Sequence, residues 1–177
     1  MLVSALLRAK ELASKGVELF ASPALKFFLY NDINRERFKS DPKCLENFIL
    51  LDDNDIWTAL KVWCNHNDII LATLSQGMVN REIFKVEVSP TPCTEERLNA
   101  ISERIAKQLH INKEDTRYFI STPSIEKNMY NPADDSIDIL YNDGSTTNIA
   151  EASDMLHLSV LSKKVKKYYI CYLREKK

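Results

Sequence analysis

Between Leu50 and Val88 the hydrophobic period of the chain changes from that of a helix to that of a strand. That change excludes both an all-helical bundle and an all-β sandwich. Asp52, Asp53, Asn54 and Asp55 supply capping oxygens and negative charge, which a helix N-terminus favours. Ile56, Trp57, Leu60, Trp63 and Cys64 then recur on one helical face. Asn65–Asp68 interrupts that helix and offers Asn67 or Asp68 as the next cap. Ile69, Ile70, Leu74 and Met78 form a second helical face, and Gly77 stands near its end, where a left-handed residue is often required. From Ile83 the period is two, with Phe84, Val86 and Val88 on one side and Ile83, Lys85 and Glu87 on the other.

The rest of the chain follows this change of period. Leu2, Leu6, Ala9 and Ala13 make a helical stripe that predicts a helix to about Ser14, stopped by Gly16. This stripe begins with no capping residue before it, a start that suits a natural domain and equally a cut inside a longer protein. Ser22-Pro23 is a cap followed by proline at the first helical position. Asn31–Pro42 is charged and reads as an exposed connector or a helical turn, and Leu45, Phe48, Ile49 and Leu51 lead from it into the central stretch. Beyond Val88, Thr94 caps a helix buried through Leu98, Ile101, Ile105 and Leu109. Tyr118–Ile120 and Ile137–Tyr141 read as strands, Asn142–Ser145 as a hairpin turn, Ile149–Leu158 as a short helix and Tyr168–Leu173 as a closing strand. From Ile83 the order is strand, helix, strand, strand, helix, strand. The expected fold is therefore α+β, with a helical segment over 1–80 packed on a ferredoxin-like, split βαβ lobe over 81–177.

Composition excludes several chemistries. The chain has 177 residues, a formal charge of −1 and 3 Gly, too few for a P-loop or a dinucleotide fingerprint. Its 4 Cys are scattered without a C-x-x-C pair and read as reduced thiols of a cytoplasmic protein. No apolar run reaches membrane-spanning length, so no membrane partner is expected. His66, His110 and His157 stand apart, and no metal-ligand spacing links them to Cys or carboxylates. Asp52, Asp53 and Asp55 read as helix caps rather than as part of a calcium loop. Cys64 and His66 are two residues apart and face away from each other on a helix, so no catalytic residue is assigned.

Two groups of cations are candidate anion contacts. Arg81 and Lys85 stand four residues apart at the mouth of the first strand. Arginine suits bidentate phosphate contact and lysine supplies a point charge. Solvent-facing cations would give the same pattern. The second group is Lys163, Lys164, Lys166 and Lys167, with Tyr168, Tyr169 and Tyr172 close by, a composition that suits a nucleic-acid backbone. Its ordinary role would be to keep an edge strand from pairing with another chain.

LLDDNDIWTALKVW, the segment Arg81–Lys85 (R-x-x-F-K), EKNMYNPADDSIDILY and SKKVKKYYICY occur here in one order. In this the chain resembles the region that follows the catalytic domain in HD-superfamily phosphohydrolases. The likeness is to bacterial relatives of the SAM- and HD-domain-containing deoxynucleoside triphosphate triphosphohydrolase, and it runs from Met1 to about Arg174. It implies a helical part continuing an HD domain beside an α+β lobe, a homo-oligomer, and a divalent metal held in the HD domain. It also implies that Arg81 and Lys85 contact an activating nucleotide between subunits. Tyr130 replaces the lysine that precedes N-P in the vertebrate relative, and the H…HD…D metal ligands are not among these residues. The expected function is the C-terminal regulatory and assembly portion of such a hydrolase, with no cofactor of its own and no catalysis by itself. A self-standing ferredoxin-like ligand-binding module and a nucleic-acid binder using Lys163–Lys167 are the alternatives.

Overall fold

The computed structural model describes residues 1–127, 138–148 and 165–175. The chain is α+β. Its helices are α1 (Leu2–Ser14), α2 (Pro23–Tyr30), α3 (Arg35–Ser40), α4 (Pro42–Leu50), α5 (Asp53–Trp63), α6 (Ile69–Val79) and α7 (Glu95–Leu109), with a 3-10 helix at Lys113–Tyr118. The strands are β1 (Lys85–Ser89), β2 (Ile120–Ser121), β3 (Ser124–Lys127), β4 (Asp138–Leu140), β5 (Thr146–Asn148) and β6 (Val165–Tyr172).

The helix starts are local in origin. Ser22 accepts from the Leu25 amide ahead of Pro23, and Asp41 caps α4 ahead of Pro42 in the same way. Asp52 and Asp55 make a reciprocal capping box on α5, and Asp68 accepts from the Leu71 amide at 2.8 Å to cap α6. The Asn31–Pro42 segment is not a plain connector, since it contains α3, and α4 follows as a full helix. The four large apolar residues Leu45, Phe48, Ile49 and Leu50 on α4 are exposed rather than core.

Compactness divides the chain into two units. The first comprises Met1–Val86, Thr94–Ser121 and Ile170–Lys177. Its core holds Leu60, Trp63, Leu71, Leu74, Ile105 and Phe119, all at 1% exposure or less. Trp63 donates its indole N–H to the Phe20 carbonyl at 3.0 Å, so its polar atom is satisfied inside the core. A buried hydroxyl pair, Ser102 to Thr116 at 2.7 Å, ties α7 to the 3-10 helix. Within this unit β2 pairs antiparallel with β6, Ile120 opposite Tyr172 and Ser121 opposite Cys171.

The second unit comprises Glu87–Cys93 and Thr122–Tyr169. Here β3 pairs antiparallel with the first half of β6, Ser124 opposite Tyr168. β4 and β5 form a separate two-stranded hairpin, and Gly144 in its turn has φ +82°, a conformation glycine adopts without penalty. The Thr146–Asn148 return thus adds a strand. Among the described residues the larger sheet runs β1–β6–β2 with β3 also on β6, so β6 is the strand on which the others assemble. A ferredoxin-like order would put the first strand in the middle, and these strands do not display it. The segment read as the second helix, 149–158, lies outside the described residues.

Candidate functional site

The turn from α6 into β1 builds the site. α6 ends at Val79 with Asn80 as its C-cap, and Arg81 then takes the left-handed conformation, φ 60°. A residue with a Cβ is uncommon there and carries strain. The left-handed residue expected near the helix end is therefore Arg81, not Gly77. Gly77 serves close packing instead: a Cβ there would lie 2.5 Å from the Met1 Cε and 3.2 Å from the Glu82 carbonyl oxygen.

Phe84 gives the R-x-x-F-K segment its geometry. It is 8% exposed, its ring lies 6.3 Å from that of the fully buried Phe119, and its amide meets the Met1 sulfur at 3.2 Å. Lys85, the first residue of β1, follows it and is exposed. Val86 and Val88, which share one side with Phe84 by their period, are 54% and 56% exposed.

Arg81 opens onto a cleft of about 620 Å³, bounded by the end of α6 through Gln76 and Asn80, by Gln108 of α7, and by Arg174 and Glu175. Lys85 opens onto a smaller recess of about 430 Å³, lined also by Arg104, Tyr172, Arg174 and Glu175. Arg174 and Glu175 line both hollows. The cations four residues apart in sequence are thus brought to one region and joined by two more, Arg104 and Arg174. Both were missed by sequence reasoning. Arg104 stands next to the buried Ile101/Ile105 stripe and looks like an ordinary flanking cation. Nothing local ties it to the end of the chain.

Arg104 is held firmly. It donates to the Leu173 carbonyl at 2.7 Å and to the Gln108 side chain at 3.2 Å, and its Nε faces the Glu175 carboxylate at 3.6 Å. Its guanidinium lies 5.6 Å from the centre of the Tyr172 ring, and the Lys85 ammonium lies 5.7 Å from the same centre.

The other candidates fall elsewhere. Lys166 and Lys167 are exposed on β6, and as strand neighbours they point to opposite faces rather than into one patch. Lys166 lies over the Tyr168 ring at 5.4 Å. Lys163, Lys164, Tyr130 and the N-P-x-D motif lie outside the described residues, as does His157. Lys166 and Lys167 stand opposite Glu126 and Ile125 of β3, so this side of β6 is paired. The Cys64 thiol is pushed up by burial, which disfavours the thiolate, and His66 spends its Nδ1 accepting the Asp68 amide at 3.0 Å. Asp52 is held below the usual carboxylate range by the Asn54 side chain and the amides of Asp55 and Asn54, as a cap should be. Among the described residues no three His, Cys, Asp or Glu side chains converge on a metal-sized site, and no helix is long and apolar enough to cross a membrane.

Neither a protein-family model nor a curated protein matches the chain. Among solved structures it is similar to a phosphohydrolase from Bacteroides thetaiotaomicron, with 69% identity over 98% of this chain and a TM-score of 0.93. The chain spans 43% of that protein, less than half its length.

Proposed function

We propose that this chain is the C-terminal regulatory and assembly portion of an HD-type, metal-dependent nucleotide phosphohydrolase, and that Arg81 and Lys85 contact the phosphates of a nucleotide effector. The observation that carries the reading is that these two cations, matched from the R-x-x-F-K segment, open onto hollows that share Arg174 and Glu175 as lining residues. The likeness to a phosphohydrolase more than twice as long supports the parent class. The exposed apolar residues of α4, at 52% to 71%, support an assembly role, because contiguous apolar surface marks interaction sites. The divalent metal implied by the HD family finds no donor set among the described residues, so no hydrolytic step is assigned to them.

The test is calorimetry with nucleoside triphosphates, alongside light scattering to follow the oligomer. Each charge-assisted phosphate contact contributes about 1.5–3 kcal/mol, so the double change Arg81→Ala/Lys85→Ala is expected to weaken binding roughly 100-fold or more. Unchanged affinity, or a loss that tracks a fall in melting temperature, would leave both residues as surface cations. Chelator-sensitive hydrolysis of dNTPs by the purified chain would refute the non-catalytic assignment.

A further inference from the structure

The recess beside Lys85 has a feature that the effector reading does not use. Three cations line it, Lys85, Arg104 and Arg174, the first two over the Tyr172 ring, with Glu175 as the acid among its lining residues. Arg104 is preorganised. Two of its nitrogens are fixed by neutral oxygens, the Leu173 carbonyl and the Gln108 side chain, which hold the guanidinium in place without cancelling its charge. Its third nitrogen faces Glu175, whose side chain is 77% exposed and which stands at 3.6 Å, too long for a tight bidentate pair. A carboxylate so exposed is a weak partner. A phosphate oxygen carries similar charge and matches the guanidinium fork better. The volume, about 430 Å³, falls in the range of about 300–1,000 Å³ typical of small-molecule sites.

We propose that Arg104, with Lys85 and Arg174, forms a second phosphate pocket beside the Arg81 cleft, and that Glu175 occupies Arg104 as an internal competitor until a polyphosphate displaces it. Arg174 and Glu175 line both hollows, so a polyphosphate seated at Arg104 would share these two residues with whatever sits at Arg81. The ligand class is a polyphosphate, free or carried by a nucleoside. Its assignment as a nucleotide rests on the effector reading; the pocket itself does not.

The probe is inorganic triphosphate, titrated calorimetrically at low salt into the wild type and single variants. Arg104→Gln is expected to weaken binding at least about tenfold, as for a lost hydrogen bond to a charged group. Glu175→Gln is expected to strengthen it about two- to fivefold, the value of one exposed ion pair. Lys26→Gln on α2 removes the same charge away from the recess and should change nothing. Arg104 also anchors the Leu173 carbonyl, so its loss could unsettle the fold. Glu175→Gln touches an exposed group, and its gain in affinity is the arm that folding cannot mimic. Loss with Arg104→Gln together with gain with Glu175→Gln supports the pocket, even if Arg81→Gln has no effect and the effector reading falls. Binding that responds to Arg81→Gln but ignores Arg104→Gln and Glu175→Gln overturns the pocket and leaves the effector reading standing. Absence of triphosphate binding overturns the pocket outright. Where the pocket holds, a parallel titration with dATP separates the sources: tighter binding than triphosphate assigns a nucleotide, weaker binding a free polyphosphate.

Discussion

Arg8 grips both carboxylate oxygens of Asp68, 60 residues further along, with Nε at 3.1 Å from one and Nη2 at 2.7 Å from the other. This fork ties α1 to the start of α6. Each side chain is about one-seventh exposed or less, so the pair is sheltered without being dry. Burial alone would push Asp68 up, but the Arg8 fork and the Leu71 amide outweigh it and hold the carboxyl below its usual range.

Breaking this pair is expected to be costly. Asp68→Ala removes the α6 cap and the two charge-assisted bonds from Arg8, whose guanidinium keeps Glu11 at 3.2 Å, and should lower the unfolding free energy by about 3 kcal/mol. Asp68→Asn keeps a capping oxygen and loses the charge, and should cost roughly half as much. Urea denaturation measures both. Equal losses would mean that the cap contributes nothing.

The neighbouring Glu11 predicts an acid response. Lys15 at 2.6 Å, the Tyr118 hydroxyl and Arg8 together hold its carboxyl at about 2, against an ordinary 4.5. A carboxyl depressed in the folded state stabilises above its unfolded value and loses that contribution as pH falls through the folded one. Melting temperature should therefore drop between about pH 4.5 and pH 2, and Glu11→Gln should flatten that part of the curve while lowering stability at pH 7. Arg117 at 3.5 Å adds little, being largely exposed.

Gly77→Ala sets helix propensity against packing. Alanine gains about 1 kcal/mol within a helix, but its methyl must displace the flexible tip of Met1 and press on the Glu82 carbonyl oxygen 3.2 Å away, and overpacking costs about 1–3 kcal/mol. A net loss near 1 kcal/mol is expected by thermal melting, with Gly77→Leu far worse. A stabilised Gly77→Ala would show that Met1 and the α6–β1 turn yield freely.

Arg81 separates strain from binding. Arg81→Gly relieves the left-handed backbone and should raise stability by about 0.5–1 kcal/mol, whereas Arg81→Val should lower it by about 1–2 kcal/mol. Both remove the cation, so both should weaken nucleotide binding. A glycine variant that melts higher and binds worse would separate the two roles cleanly.

What was legible in the chain was local. The oxygens of Asp52 and Asp68 declare helix starts within three residues, and Asn142–Ser145 declares its hairpin through turn chemistry. Asp41-Pro42 carried the same start signal as Ser22-Pro23, yet the apolar residues behind it read as a run into the next element and α4 went unseen. Arg81 taking the left-handed turn was illegible, because glycine is the usual occupant and Gly77 stood four residues before it. The cluster of Lys85, Arg104 and Glu175 depends on β6 returning beside β1, a long-range pairing with no short-range sign.

The hydrogen bond that seats Trp63 has a practical consequence for anyone following this protein in solution. Both tryptophans, Trp57 and Trp63, belong to the stretch Met1–Val86, the first half-exposed at 43% and the second sealed at 1%. Emission from Trp63 should be blue-shifted and shielded from iodide, while Trp57 is quenched, so one spectrum carries an internal reference. The Glu87–Cys93 and Thr122–Tyr169 unit contains no indole, and its melting would pass unrecorded in the tryptophan channel. A fluorescence transition and a circular-dichroism transition that fail to coincide would therefore time the two units separately, with no label added.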